Sequence, residues 1–121
     1  MNARILLVED DALLRHAFKL LLEDSGYAIE EAGTAAEAVA KGKEFMPQLI
    51  LLDMGLPDAP GTDVARNLRT HPGLETIPIV ALTGRVGMDE KNACLEAGCT
   101  HFLSKPVEVK VLLKKVSEFL Q

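Results

Sequence analysis

At 121 residues the chain suits one compact domain, of a size that buries roughly 65% of its unfolded surface without staples. Its 48% hydrophobic and 26% charged residues, with a mean hydropathy of +0.14, place it with globular and not disordered chains. Eighteen acids against thirteen bases give a net charge of −5, which counts against a nucleic-acid-binding face, and the absence of Trp removes stacking platforms for bases.

In chain order, Ile5-Leu6-Leu7-Val8 reads as a first strand, and four apolar residues are too few for a secretory signal. Asp11 to Ser25 reads as a helix ended by Gly26, with Leu14, Ala17, Phe18 and Leu21 on its buried face and Arg15, Lys19 and Glu23 outside. The weaker run Tyr27-Ala28-Ile29 continues into Glu30 and Glu31 and is predicted to be an edge strand. Thr34-Ala35-Ala36-Glu37 has the capping-box pattern of a second helix, which stops before Pro47. Leu49-Ile50-Leu51-Leu52 forms a third strand, and a third helix runs from about Gly61 to His71, closed by Pro72-Gly73. Pro78 opens the fourth strand, Ile79-Val80-Ala81-Leu82, where a missing N–H is tolerated. A fourth helix from about Asp89 to Gly98 leads to the short strand Phe102-Leu103. The last helix follows Pro106 and buries Val109, Leu112, Leu113, Val116 and Leu120.

Three of the five apolar runs are continuous instead of alternating, as parallel strands covered on both faces require. Five strand-helix alternations without a linker or repeat predict an α/β open parallel sheet with helices on both sides. No segment approaches the ~20 apolar residues of a membrane span. Cys94 and Cys99 lack a metal-finger spacing and read as small apolar residues around a helix end, in a reduced, cytoplasmic setting.

In such sheets a ligand sits beyond the carboxyl ends of the strands, where the strand order reverses. Four strands deliver chemistry to that rim: Glu9, Asp10 and Asp11 after the first, Asp53 after the third, Thr83 after the fourth, Lys105 after the fifth. Each has a plainer reading. One of Asp10 and Asp11 caps the first helix, Thr83 alone is an ordinary strand-end hydroxyl, and Lys105 alone is a solvated loop charge. Together they are specific. Converging carboxylates repel unless a cation is present, and hard oxygen ligands suit Mg²⁺. A carboxylate nucleophile, a metal, a lysine and a hydroxyl are the parts of phosphoryl transfer to an aspartate.

These motifs, from Glu9-Asp10-Asp11 through Asp53-Met54-Gly55-Leu56-Pro57, Thr83-Gly84 and Ser104-Lys105-Pro106, make the whole chain resemble the receiver domain of two-component response regulators. The resemblance implies a flavodoxin-like (βα)5 sheet of strand order 2-1-3-4-5, a single receiver domain over residues 1–121, and no output domain. It implies Asp53 as phosphoacceptor and Mg²⁺ held by Glu9, Asp10, Asp53 and the Gly55 backbone carbonyl, with Asp10 the more direct ligand. The acidic pair is set at Glu9 and Asp10 because Arg15 then falls at a position that is often basic in the family. Thr83 and Lys105 match the switch hydroxyl and the lysine, Phe102 the switch aromatic, and Gly61 the glycine ending the loop after Pro57. Phe102 also reads as a plain core aromatic. His16, His71 and His101 are read as solvated or packing residues.

The implied function is to take a phosphoryl group from a histidine kinase or histidine phosphotransfer protein and to switch the binding of a downstream partner. That partner would meet the face of the fourth helix, fifth strand and fifth helix, with the protein a monomer or a weak phosphorylation-dependent dimer. No direct nucleic-acid or membrane partner is implied, and no enzymatic activity beyond self-catalysed phosphorylation and dephosphorylation. Asp58-Ala59-Pro60-Gly61 replaces the commoner loop type, Gly84 stands where Ala or Ser is usual, and Gly84 and Gly87 are expected to loosen their loop. Gly55 and Arg85 occupy positions that tune phosphate lifetime in the family, and Gly55 offers no side chain to screen water. The rival readings are a small Mg²⁺-dependent phosphohydrolase with Asp53 as nucleophile and a phosphorylation-independent interaction domain. Gly55 stands where a dehalogenase-like phosphatase needs a second acid, and the acidic first turn counts against a nucleotide-binding loop.

Overall fold

The computed structural model describes residues 2–84 and 87–120. Its elements are β1 (Arg4–Val8), α1 (Ala12–Asp24), β2 (Ala28–Ala32), α2 (Ala35–Phe45), β3 (Leu49–Asp53), α3 (Gly61–Arg69), β4 (Ile79–Thr83), α4 (Met88–Glu96), β5 (His101–Ser104) and α5 (Val109–Leu120). All pairings are parallel, and the order is β2-β1-β3-β4-β5, as expected. The expectation about Arg85 lies outside the described residues.

The continuous apolar runs are explained by a core on each side of the sheet. Successive side chains of a strand point to opposite faces. Leu6, Val8, Ile50, Leu52, Ile79 and Ala81 therefore face one layer, with Ala38 of α2, Val64 and Leu68 of α3 and Cys94 of α4. Ile5, Leu7, Leu49, Leu51, Val80 and Leu82 face the other, with Phe18 and Leu22 of α1 and Leu112 and Val116 of α5. Leu51 has no exposed surface, so Leu51→Ala would cost about 2–5 kcal/mol.

Two helical stripes differ from the pattern read in the sequence. On α1 the buried residues are Phe18 and Leu22, whereas Leu21 is 37% exposed and Ala17 is exposed. Leu20-Leu21-Leu22 is apolar throughout, so local periodicity does not choose between a 14/18/21 and a 14/18/22 face. On α5, Leu112 and Val116 are buried while Val109, in the first turn, is exposed. The first cap resolves to Asp11, whose Oδ1 accepts from the amides of Leu13 and Leu14 at 3.1 and 3.2 Å. Thr34 caps α2 as predicted, accepting from the Glu37 amide at 3.1 Å.

Candidate functional site

The register of the sheet builds the site. Val8 pairs with Leu52, so the next residues, Glu9 and Asp53, lie side by side where the order reverses between β1 and β3. Asp53 in turn pairs with Leu82, and Thr83 with Ser104, which brings the ends of β4 and β5 to the same rim. Glu9 is fully buried, Asp53 is 4% exposed and Thr83 7%, whereas Asp10 is exposed. Lys105 reaches in from the end of β5: its Nζ lies 2.9 Å from Glu9 Oε1 and 3.1 Å from Asp53 Oδ1. Its backbone N–H donates to the Thr83 carbonyl at 2.8 Å, which fixes the base of the side chain.

One lysine does not balance these acids. Burial and a hydrogen bond with Asp53 push the Glu9 carboxyl up to about 7, against the opposing pull of Lys105. Burial would raise Asp53 too, but hydrogen bonds from Glu9, the Gly55 amide and Lys105 outweigh it and leave Asp53 below the usual aspartate range. Glu9 is thus the member of the pair that holds its proton to higher pH. Lys105 is raised: burial opposes its charge, but its two carboxylate partners prevail.

A cleft of about 500 Å³ opens above these groups, walled by Asp10, Asp53, Gly55, Thr83 and Lys105, with Glu90 and Cys94 of α4 on the far side. Glu9, Asp10 and Asp53 each offer a carboxylate oxygen, and these oxygens lie within 4.8 Å of one another. Three hard oxygens so close suit a small divalent cation. The Gly55 amide donates to Asp53 Oδ1 at 3.0 Å, and the loop beyond closes on itself through a Gly55–Pro60 bridge and a 3.0 Å bond from Gly61 N to Met54 O. Gly61 is required there: a Cβ would lie 2.6 Å from the Asp53 carbonyl oxygen. Arg15 braces the acidic turn, donating from Nη1 to the Glu9 carbonyl at 2.8 Å.

Phe102 lies outside the cleft. Its half-buried ring stacks on His101 at 5.7 Å, with Lys91 Nζ 4.9 Å from the ring centroid. His101 also meets Phe119 at 6.2 Å, and His16 is exposed, so both act as the packing or solvated residues expected. Both cysteines are buried and free, and burial pushes the Cys99 thiol up to about 12.

Glu90 of the cleft wall escaped the sequence reading, which places Cys94 only as a packing residue and Asp58 only in a loop of uncommon type. Asp58 accepts from the amides of Ala35 and Ala36, 23 and 22 residues earlier. Local pattern identifies Thr34 as the cap of α2 but carries no sign of a second acceptor from a distant loop.

The profile of response regulator receiver domains matches residues 5–117. The virulence transcriptional regulatory protein PhoP of Salmonella typhimurium is 33% identical over 118 residues, covering 98% of this chain and 52% of its own length. The chain thus spans about half the length of the curated relatives it matches. Chemotaxis protein CheY4 of Vibrio cholerae superposes with a TM-score of 0.95 at 28% identity, covering 99% of this chain and all of that one. The receiver domain of a Pseudomonas aeruginosa sensor histidine kinase, solved with a magnesium ion in its active-site cleft, gives 0.89 at 27% identity, covering 98% of each chain. With family profile, curated relatives and solved folds in agreement, this chain belongs to the response regulator receiver domains, the phosphoacceptor signalling modules of two-component systems.

Proposed function

We propose that Asp53 is the residue that accepts the phosphoryl group, from a phosphohistidine on a histidine kinase or histidine phosphotransfer protein. The observation that carries this reading is Lys105 Nζ between Glu9 and Asp53, at 2.9 and 3.1 Å, at the floor of an open cleft. Asp53 Oδ1 is held by Lys105 and the Gly55 amide, which orients the carboxylate. Oδ2 is the oxygen we assign to the attack on phosphorus. The new bond is Oδ2–P, the broken bond is P–N of the donor imidazole, and the departing nitrogen keeps the electron pair. Lys105 and the Thr83 hydroxyl meet the charge of the transferred oxygens, so the chain both assists its own phosphorylation and sets up later hydrolysis. Gly55 has no side chain to keep water from the acyl phosphate.

Asp10, Asp53 and the Gly55 carbonyl are the groups assigned to hold Mg²⁺, with Glu9 behind them. When bound, that ion supplies positive charge to the phosphoryl oxygens. Support comes from the crowded carboxylates and from the magnesium seen in the cleft of the Pseudomonas aeruginosa relative. Thr83 and Phe102 are assigned to the switch, read out on the face of α4, β5 and α5 by a downstream protein, in a monomer or a weak phosphorylation-dependent dimer. A cytoplasmic location belongs to the same reading, in keeping with the two free thiols.

The test is intact mass after incubation with acetyl phosphate and Mg²⁺. One phosphoryl group should appear on the wild type and none on Asp53→Asn. Equal labelling of the two proteins would overturn the assignment, and steady turnover of a small phosphomonoester would favour the hydrolase reading.

A further inference from the structure

We infer that Asp58 is a positioning residue for this site: clamped across the first two amides of α2, it holds the loop that presents the Gly55 carbonyl. The inference rests on the metal assignment above and extends it to a residue outside the cleft.

The loop between β3 and α3 is fixed locally at its two ends. Met54 N donates to the Leu82 carbonyl at 3.0 Å, and Gly61 N closes back onto Met54 O at 3.0 Å. Neither bond ties the middle of the loop to another layer of the fold. Among the described residues, the side-chain hydrogen bonds from residues 55–59 to another element are those of Asp58, Oδ1 to Ala35 N at 2.7 Å and Oδ2 to Ala36 N at 3.0 Å. The first amides of a helix have no partner within it, and the positive end of its dipole attracts a carboxylate. Thr34 takes the Glu37 amide at 3.1 Å, so Asp58 completes the cap that Thr34 leaves open. Two bonds from one planar group fix orientation as well as distance.

What the loop is fastened to also matters. Ala35 and Ala38 of α2 are buried in the core layer shared with β1 and β3, the strands that carry Glu9 and Asp53. The clamp therefore refers the loop to the same rigid body as the carboxylates. Gly55 is exposed; its amide is held by Asp53 Oδ1 and its backbone bridges to Pro60, so the direction of its carbonyl also depends on where the far side of the loop, which carries Asp58, is held. A backbone ligand held this way loses affinity for a cation when its outer support is removed.

The experiment is a Mg²⁺ titration of the unphosphorylated full chain, followed by the amide NMR shifts of Asp53 and Gly55, for wild type, Asp58→Asn and Asp58→Ala. Phosphorylation by acetyl phosphate is measured in parallel over a range of Mg²⁺. Asp58→Ala should weaken Mg²⁺ binding by about tenfold, with labelling at saturating Mg²⁺ within twofold of wild type. Asp58→Asn keeps the shape and one acceptor oxygen and should fall between the two. Faster hydrogen exchange at the Ala35 and Ala36 amides in both variants would show the clamp released. A Mg²⁺ constant unchanged in Asp58→Ala, or labelling lost equally at low and saturating Mg²⁺, overturns the inference. If Asp58→Ala does not fold, the isosteric Asp58→Asn decides by the same criterion. A wild type that binds no Mg²⁺ in the cleft sinks the metal assignment itself, which is a different result.

Discussion

The two ends of the sheet each bury most of a long cation, and they use it in opposite ways. At the amino end of β4, Arg69 donates to the Gly98 carbonyl at 3.0 and 2.7 Å and to the Leu74 carbonyl at 2.9 Å. The Thr100 hydroxyl beside it accepts from Ile79 N at 3.1 Å. Gly98 has a φ of +105°, and a Cβ there would lie 2.9 Å from the Arg69 side chain, so a glycine is needed on two grounds. Among the described residues, the hydrogen-bond partners of Arg69 are neutral dipoles, and its planar fork fits them. At the carboxyl end, Lys105 faces two carboxylates with a third beside them. The first arrangement is complete. The second still lacks positive charge, and that deficit makes it a site, whereas the first is a clip between α3, α4 and the sheet.

Substitutions at the two cations should separate these roles, and the site end gives the larger effects. Asp53→Asn should abolish phosphoryl incorporation. Lys105→Met should slow labelling about 100-fold, the scale of losing one charge-stabilising group. Its unfolding free energy in Mg²⁺-free buffer near pH 6 should fall by less than that of Arg69→Met, because Glu9 then holds a proton and still hydrogen-bonds to Asp53. Arg69→Met should do the reverse, losing about 2–4 kcal/mol by denaturant unfolding, with unchanged labelling per folded molecule. Comparable labelling losses for Lys105→Met and Arg69→Met would erase the contrast.

The titration of Glu9 sharpens it further. Its carboxyl is raised from 4.5 to about 7 in the fold, so the folded state binds the extra proton between those values. That contribution is fully present below about 4.5 and is lost as pH rises through about 7. Asp53, which is lowered, works in the opposite sense: its contribution is present above its ordinary pKa and is lost on further acidification. Metal-free protein should therefore lose thermal stability between pH 5 and 7.5 relative to Glu9→Gln, while Mg²⁺ should reverse the trend. If one proton leaves as the ion binds, Mg²⁺ affinity should rise about tenfold per pH unit below 7. A calorimetric titration at three pH values checks this, and a flat profile would mean that Glu9 carries no exchangeable proton.

The smallest effect concerns the proposed switch. Lys91 Nζ sits 4.9 Å from the Phe102 ring centroid, and His101 stacks on the same ring. Lys91→Met removes an attraction of about 0.5–1 kcal/mol, which, if Phe102 is the switch proposed above, should raise the population of its other rotamers twofold to fivefold. A ring-labelled phenylalanine observed by NMR, with and without phosphorylation, measures it. An unmoved signal would make Lys91 a bystander.

Much of this molecule was legible before any contact was known. Four apolar residues in a row, three times over, specify buried parallel strands, and acids, a hydroxyl and a lysine at strand ends point to one shared rim. Those are local patterns, and backbone periodicity with the rule for strand ends turns them into a fold and a site. The misreading of α1 is instructive because Leu20-Leu21-Leu22 is apolar on every side, and only the sheet packed beneath it selects Leu22. One partner of Lys105 lies 96 residues away at Glu9, and those of Asp58 lie 23 and 22 residues away at Ala35 and Ala36. Such pairs follow from how the crossovers stack the layers, and no window along the chain contains both members. The opening net charge of −5 determined that the protein is acidic. Only the tertiary structure gathered three of those acids together, two of them against one lysine, because strand register, and not sequence distance, decides which charges must share a cleft.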